Sequence, residues 1–187
     1  MDLAARLAVG EARLPLLQTV AGEWAARSPS EALAWTDRLE SAEERSVVRE
    51  YICHRVAERD PAAALSLSAQ AGFGSESALA ADLTQQWTTR DPAAATQWAL
   101  AQPAGPARNQ LLARVALVLA EKSPAEAGQL VVDEIGAGPE QEESAISVLH
   151  QWALRDLPGA TQWVEQFPAG PLRTRAEREL TGVAEHR

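Results

Sequence analysis

His54 and His150 are the side chains in this sequence best suited to hold a metal ion, and its serines and histidines together are the raw material of a nucleophilic site. Neither chemistry has the spacing it needs. The two histidines recur at one position of a repeat, in its second and fifth copies, with Leu117 at that position in the fourth. They are too far apart in register to share a metal. No serine or histidine sits in a local nucleophile signature. Glu142 and Glu143 are adjacent in sequence, not on one helix face, and suit the solvated start of a helix. Cys53 is the only cysteine, so no intrachain disulfide and no zinc spacing exists. No cofactor site follows from these residues, and the chain reads as a non-enzyme.

What the residues do build is a repeated corner. Trp87-Thr88-Thr89-Arg90-Asp91-Pro92-Ala93-Ala94-Ala95-Thr96-Gln97-Trp98 recurs in outline five times. Trp24 to Trp35 encloses Arg27-Ser28-Pro29, and Trp152 to Trp163 encloses Arg155-Asp156-Leu157-Pro158. Val56 and Leu67 flank Arg59-Asp60-Pro61, while Leu119 and Leu130 flank Lys122-Ser123-Pro124. All six tryptophans fall on this frame, which favours a structural role over an aromatic ligand socket. Ser28, Asp60, Asp91, Ser123 and Asp156 are N-cap types whose side-chain oxygens accept from free backbone N–H groups of the next helix. Proline at the first helical position loses nothing by its missing N–H. It also pushes the residue before it out of the α region, so the preceding helix must stop. The basic residue before each cap complements the negative end of the helix that is ending.

The caps are separated by 32, 31, 32 and 33 residues. A fixed period of this size with two helices per unit marks an α-solenoid. The expectation is an all-α fold, an α-α superhelix that forms a right-handed solenoid of antiparallel hairpins with about six units, spanning residues 1–187 as one helical-repeat domain. Short helices A are expected over 29–39, 61–70, 92–101, 124–134 and 157–166. Longer helices B are expected over 11–27, 43–59, 75–90, 107–122, 140–155 and 172–186, after the remnant of an earlier helix from Leu3 to Val9 with Gly10 at its end. Ala32, Ala64, Ala95, Ala127 and Ala160 stand four residues after each cap, where a small side chain lets helices approach closely. Leu112, Val115, Ala116 and Leu119 exemplify the buried stripe of a helix B.

The string Trp-Ala-x-x-Asp-Pro-x-x-Ala-x-x-Trp, taken across the copies, resembles a bacterial tryptophan-rich helical-hairpin repeat. The paired helices with alanines at fixed sites and proline at the corner also resemble the tetratricopeptide class, which lacks an Asp-Pro corner flanked by tryptophans. The resemblance covers almost the whole chain. It implies a scaffold that binds other proteins or peptides, and it carries no catalytic residues to transfer.

Composition narrows the partners. A net charge of −9 argues against tracking a nucleic-acid backbone. Glu43, Glu44, Glu76, Glu140, Glu142 and Glu143 lie near expected helix starts, so part of the acidity has a structural use. No apolar run approaches the ~20 residues that span a bilayer, and the sequence as written reads as soluble and cytoplasmic. Val183-Ala184-Glu185 echoes Val56-Ala57-Glu58, and the chain stops where the next cap is due. The expectation is therefore a fragment of a longer protein, in which case a secreted or anchored parent stays open.

The functional expectation is a non-catalytic protein–protein interaction scaffold with a protein or peptide partner, without nucleic acid and without membrane insertion. The open ends of such an array also permit self-association. An enzyme or nucleotide-handling protein on the same frame is the second reading and would need a deep pocket with clustered polar groups. A helical-repeat reader of nucleic acid is the third and would need a basic groove. On helices B, the positions nine and six before each cap are expected to line up as an outer ridge. That ridge reads Thr19 and Gly22, Tyr51 and His54, Asp82 and Gln85, Arg114 and Leu117, Ser147 and His150. Tyrosine and arginine tend to dominate interface energetics, which makes Tyr51, His54, Asp82, Gln85, Arg114, Ser147 and His150 the expected partner-binding residues; an ordinary solvated face is the alternative reading of the same ridge.

Overall fold

The computed structural model describes residues 13–186. The expected helix from Leu3 to Val9 and its Gly10 lie outside that range. The described residues form eleven α-helices and no strand. In chain order these are α1 (Arg13–Ala25), α2 (Pro29–Trp35), α3 (Ala42–Ala57), α4 (Pro61–Gln70), α5 (Ala78–Arg90), α6 (Pro92–Leu100), α7 (Pro106–Leu119), α8 (Pro124–Glu134), α9 (Pro139–Ala153), α10 (Leu157–Glu165) and α11 (Pro171–Glu185). A 3-10 turn over Thr36–Arg38 prolongs α2. Short and long helices alternate as expected, with ends shifted by up to about three residues. None is long and apolar enough to cross a membrane.

By internal packing the chain forms two compact units, one up to Thr84 and one from Gln85. The boundary falls inside α5, a helix without linker composition. In the first unit α1 packs on α2 and on α3, and α3 packs on α4. In the second, α7, α9 and α11 pack side by side, while α8 and α10 fill the angles between them.

The corners form as the cap residues dictate. Asp60, Asp91 and Asp156 each accept a hydrogen bond from the backbone N–H three residues on, at 2.9 to 3.0 Å. Ser28 and Ser123 hold the same extended cap geometry without a side-chain bond. The cation before the cap acts differently from expectation in two corners. Arg59 Nη1 donates to the carbonyl of Ala26 at 3.4 Å, and Arg155 Nη1 donates to the carbonyl of Glu121. Each guanidinium thus ties off the end of the preceding long helix, because its side chain is long enough to reach the neighbour that packs beside it.

Each tryptophan pair closes its corner from both sides. Ring centroids are 6.2 Å apart for Trp24 and Trp35, 5.6 Å for Trp87 and Trp98, and 5.7 Å for Trp152 and Trp163. Such aromatic pairs add about 0.5–1.5 kcal/mol beyond their burial. Trp35 and Trp87 are buried; the other four are half-buried. The five alanines after the caps are all buried, at 1% exposure or less, which fits the close helix approach their size allows. In the second unit one core gathers Leu112, Val115, Ala116, Val131 and Val148, with Leu119 and Leu130 packed at its margin. Burying each valine or leucine among them stabilises by roughly 1.5–3 kcal/mol.

Three of the long helices start on a Gly-Pro pair: α7, α9 and α11. Gly105 and Gly138 hold φ of 154° and 149° before Pro106 and Pro139. Only glycine occupies that region without strain, so these pairs turn the chain sharply and start the helix at once.

Candidate functional site

The expected ridge residues lie on long helices of both units, and some of them pair with a neighbouring long helix of their own unit. His54, six residues before its cap, meets Asp82, nine before the next, with Nε2 to Oδ2 at 3.7 Å. His150 Nδ1 meets Glu179 Oε1 on the following long helix at 2.6 Å. Tyr51 lies over Gly22, where a Cβ would stand 2.8 Å from the ring Cε1. Leu117 and Ser147 line one shallow depression with Arg114. Within each unit, then, His54 and His150 pair across neighbouring long helices. Tyr51, His54, Arg114 and His150 are half-buried, and Asp82, Gln85 and Ser147 are exposed.

The chemistry of these residues is that of packing and solvated pairs. Ser147 Oγ donates to the carbonyl of Glu143 in its own helix, so the hydroxyl is committed locally. The Arg114 Nε is buried and lacks a hydrogen-bond partner. Arg175 binds Glu143 through Nη1 and Nη2, at 2.6 and 2.8 Å. That two-point hydrogen bond, with the charge of Arg175, holds the Glu143 carboxyl below the ordinary glutamate range. Cys53 is buried in α3, and burial, with Glu50 nearby, pushes its thiol up to about 12. Its sulfur is a poor nucleophile there. Among the described residues no group of three or more histidine, cysteine or acidic side chains is placed to hold a metal.

A second concave feature of the second unit lies on the short helices. A groove of about 650 Å³ runs between α6 and α8 and is floored by the ends of α5 and α7. Pro92, Ala93 and Leu100 form one wall, and Leu119 with Leu130 forms the base of the other. Gln97 and Gln129 face it from equivalent positions, six residues after their caps. Four carboxylates, Glu121, Glu126, Asp133 and Glu134, stand around it with a single lysine, Lys122. Arg108 holds Glu134 at 2.8 Å from outside the groove, and Gln129 donates to Asp133 at 2.7 Å. The volume falls within the roughly 300–1000 Å³ of ligand clefts.

Sequence reasoning passed over this groove because it weighed helices A only by their buried positions. A signal was present: Gln97, Gln129 and Gln162 share one register six places after the cap, where Ala34 and Ser66 stand in the other two copies. No family model, no curated protein and no solved structure matches the chain.

Proposed function

We propose that this chain is a non-catalytic interaction scaffold that receives a peptide segment of a partner protein on the face of its short helices. In this reading the hairpins continue as a right-handed solenoid of the tryptophan-rich, tetratricopeptide-like kind that the corner string suggests. The groove between α6 and α8 carries the proposal. It is open at the surface, apolar along its base and edged with amides and carboxylates, which is the composition of a site for side chains plus a backbone. Repetition of the corner supplies the rigid elements on which such a groove stays formed without its ligand. That preorganisation lowers the entropic cost of binding.

The test is a selection of ligands from a random peptide display library on the whole chain, with affinities then measured by calorimetry. Selected peptides should weaken by roughly tenfold or more, about 1.4 kcal/mol, when Ala93→Arg fills the groove. They should be indifferent to Tyr51→Ala with Arg114→Ala on the expected ridge. Loss of binding on the ridge variant alone would move the site to the long helices, and a library without any binder would remove the peptide reading.

A further inference from the structure

We infer that the segment received by the α6–α8 groove is cationic, a short apolar anchor flanked by lysine or arginine, an inference that rests on the groove being the binding site. The argument is electrostatic. Glu121, Glu126, Asp133 and Glu134 face the same 650 Å³ space as Lys122 alone. Arg108 neutralises Glu134. Setting both cations against the four carboxylates leaves two negative charges at the groove, on a chain whose net charge is −9. A cleft lined by one sign of charge with low-dielectric walls focuses its field and draws in the opposite charge.

The placement of the charges within the groove sharpens the fit. Glu126 lies in the first turn of α8, and Asp133 lies two turns further along the same helix. Both are exposed. They bracket Leu130, which sits on the apolar base between them. An apolar side chain seated against Leu130 and Ala93 would place flanking residues of its own chain beside Glu126 and Asp133. Lysine or arginine there gains a charge partner at each side, whereas glutamate meets repulsion at both. Gln97 carries both donor and acceptor groups, and Gln129, whose amide nitrogen donates to Asp133, offers its carbonyl, so the two can serve the backbone of the bound segment whatever its side chains.

The experiment uses fluorescein-labelled twelve-residue peptides with one central Leu-Leu pair, flanked in one series by lysine and in the other by glutamate. Binding to the full chain is followed by anisotropy. The lysine series should bind, should weaken as sodium chloride rises through the range in which exposed charges are screened, and should lose roughly tenfold or more in Kd with Glu126→Lys and Asp133→Lys together. The glutamate series should bind only to that double variant. Equal binding of both series, or a Kd unmoved by the double variant while Ala93→Arg still abolishes binding, would overturn the cationic inference and leave the groove standing. If the peptides selected from the random library also prove indifferent to Ala93→Arg, the groove reading falls and the inference with it.

Discussion

The indole of Trp163 lies against Gly128, where a Cβ would stand 2.8 Å from its Cζ2 and 2.9 Å from its Cε2. Gly128 is in the body of α8, a place where glycine costs about 1 kcal/mol of helix propensity against alanine. It is kept there by the ring that Ala160 and the Asp156 corner bring across it. Trp163 is fixed in turn by Phe167, edge-on at 4.8 Å, and by Trp152. The ring therefore has little freedom to retreat.

Gly128→Ala should accordingly destabilise the protein, because overpacking of about 1–3 kcal/mol outweighs the propensity gain. Gly182→Ala is the control. Gly182 lies in α11 with nothing within 4 Å of a new Cβ, so the same change there should stabilise by up to about 1 kcal/mol. Urea denaturation of the two variants should move in opposite directions from the parent. A stabilised Gly128→Ala would mean that the Trp163 ring swings aside.

The corners make a graded set. Asp91 Oδ1 accepts from the Ala94 N–H at 3.0 Å, whereas Ser123 occupies the same place without a side-chain bond. Asp91→Ala should cost about 1 kcal/mol, within the usual range for a cap, and Ser123→Ala a few tenths at most. Chemical denaturation decides it. Equal losses at both sites would show that serine caps its helix in solution after all.

Much of this fold is legible in the sequence because the corners draw on few residue types: an oxygen-bearing residue at the cap, proline directly after it in four of the five, and alanine four places on. Asp60, Asp91 and Asp156 could be assigned from type and spacing, and their hydrogen bonds are where the spacing put them. The ridge was harder. The period aligns His54 with His150, but whether a residue faces solvent or the next helix depends on how far neighbouring helices are rotated. That rotation is set by packing and leaves little mark on any single helix. The groove was harder still. Its walls, Ala93 and Leu130 among them, come from residues a full repeat apart, and its charge comes from the end of one helix and the flank of another. The division at Thr84 has no compositional mark, since it falls within a continuous helix.

Glu143 and Arg175 give a pH signature. The folded Glu143 carboxyl titrates below its unfolded value because Arg175 hydrogen-bonds and attracts the ionised form. Its contribution to stability is therefore present above the ordinary glutamate range and is lost as pH falls through the folded value. Glu143→Gln should be less stable than the parent near neutral pH, and the gap should close on acidification. Thermal melts across that range in low salt provide the check. A gap that persists at the acid end would assign the effect to something other than this pair.

Cys53 reports on the first unit from inside α3. Burial, and then Glu50, hold its thiol at about 12, while an unfolded thiol ionises near ~8.5. Between those values the unfolded chain releases a proton that the folded chain keeps, so stability must fall as pH rises through that window. Cys53→Ala should flatten that part of the pH dependence, at a small packing cost that does not vary with pH. The same burial protects the sulfur from reagents. Iodoacetamide should label native Cys53 at least roughly 100-fold more slowly than the urea-unfolded chain, as an opening free energy of ~3 kcal/mol requires. Labelling at comparable rates in the two states would show that α3 opens readily, and that the first unit is held far less firmly than its buried Val48, Ile52 and Leu65 imply.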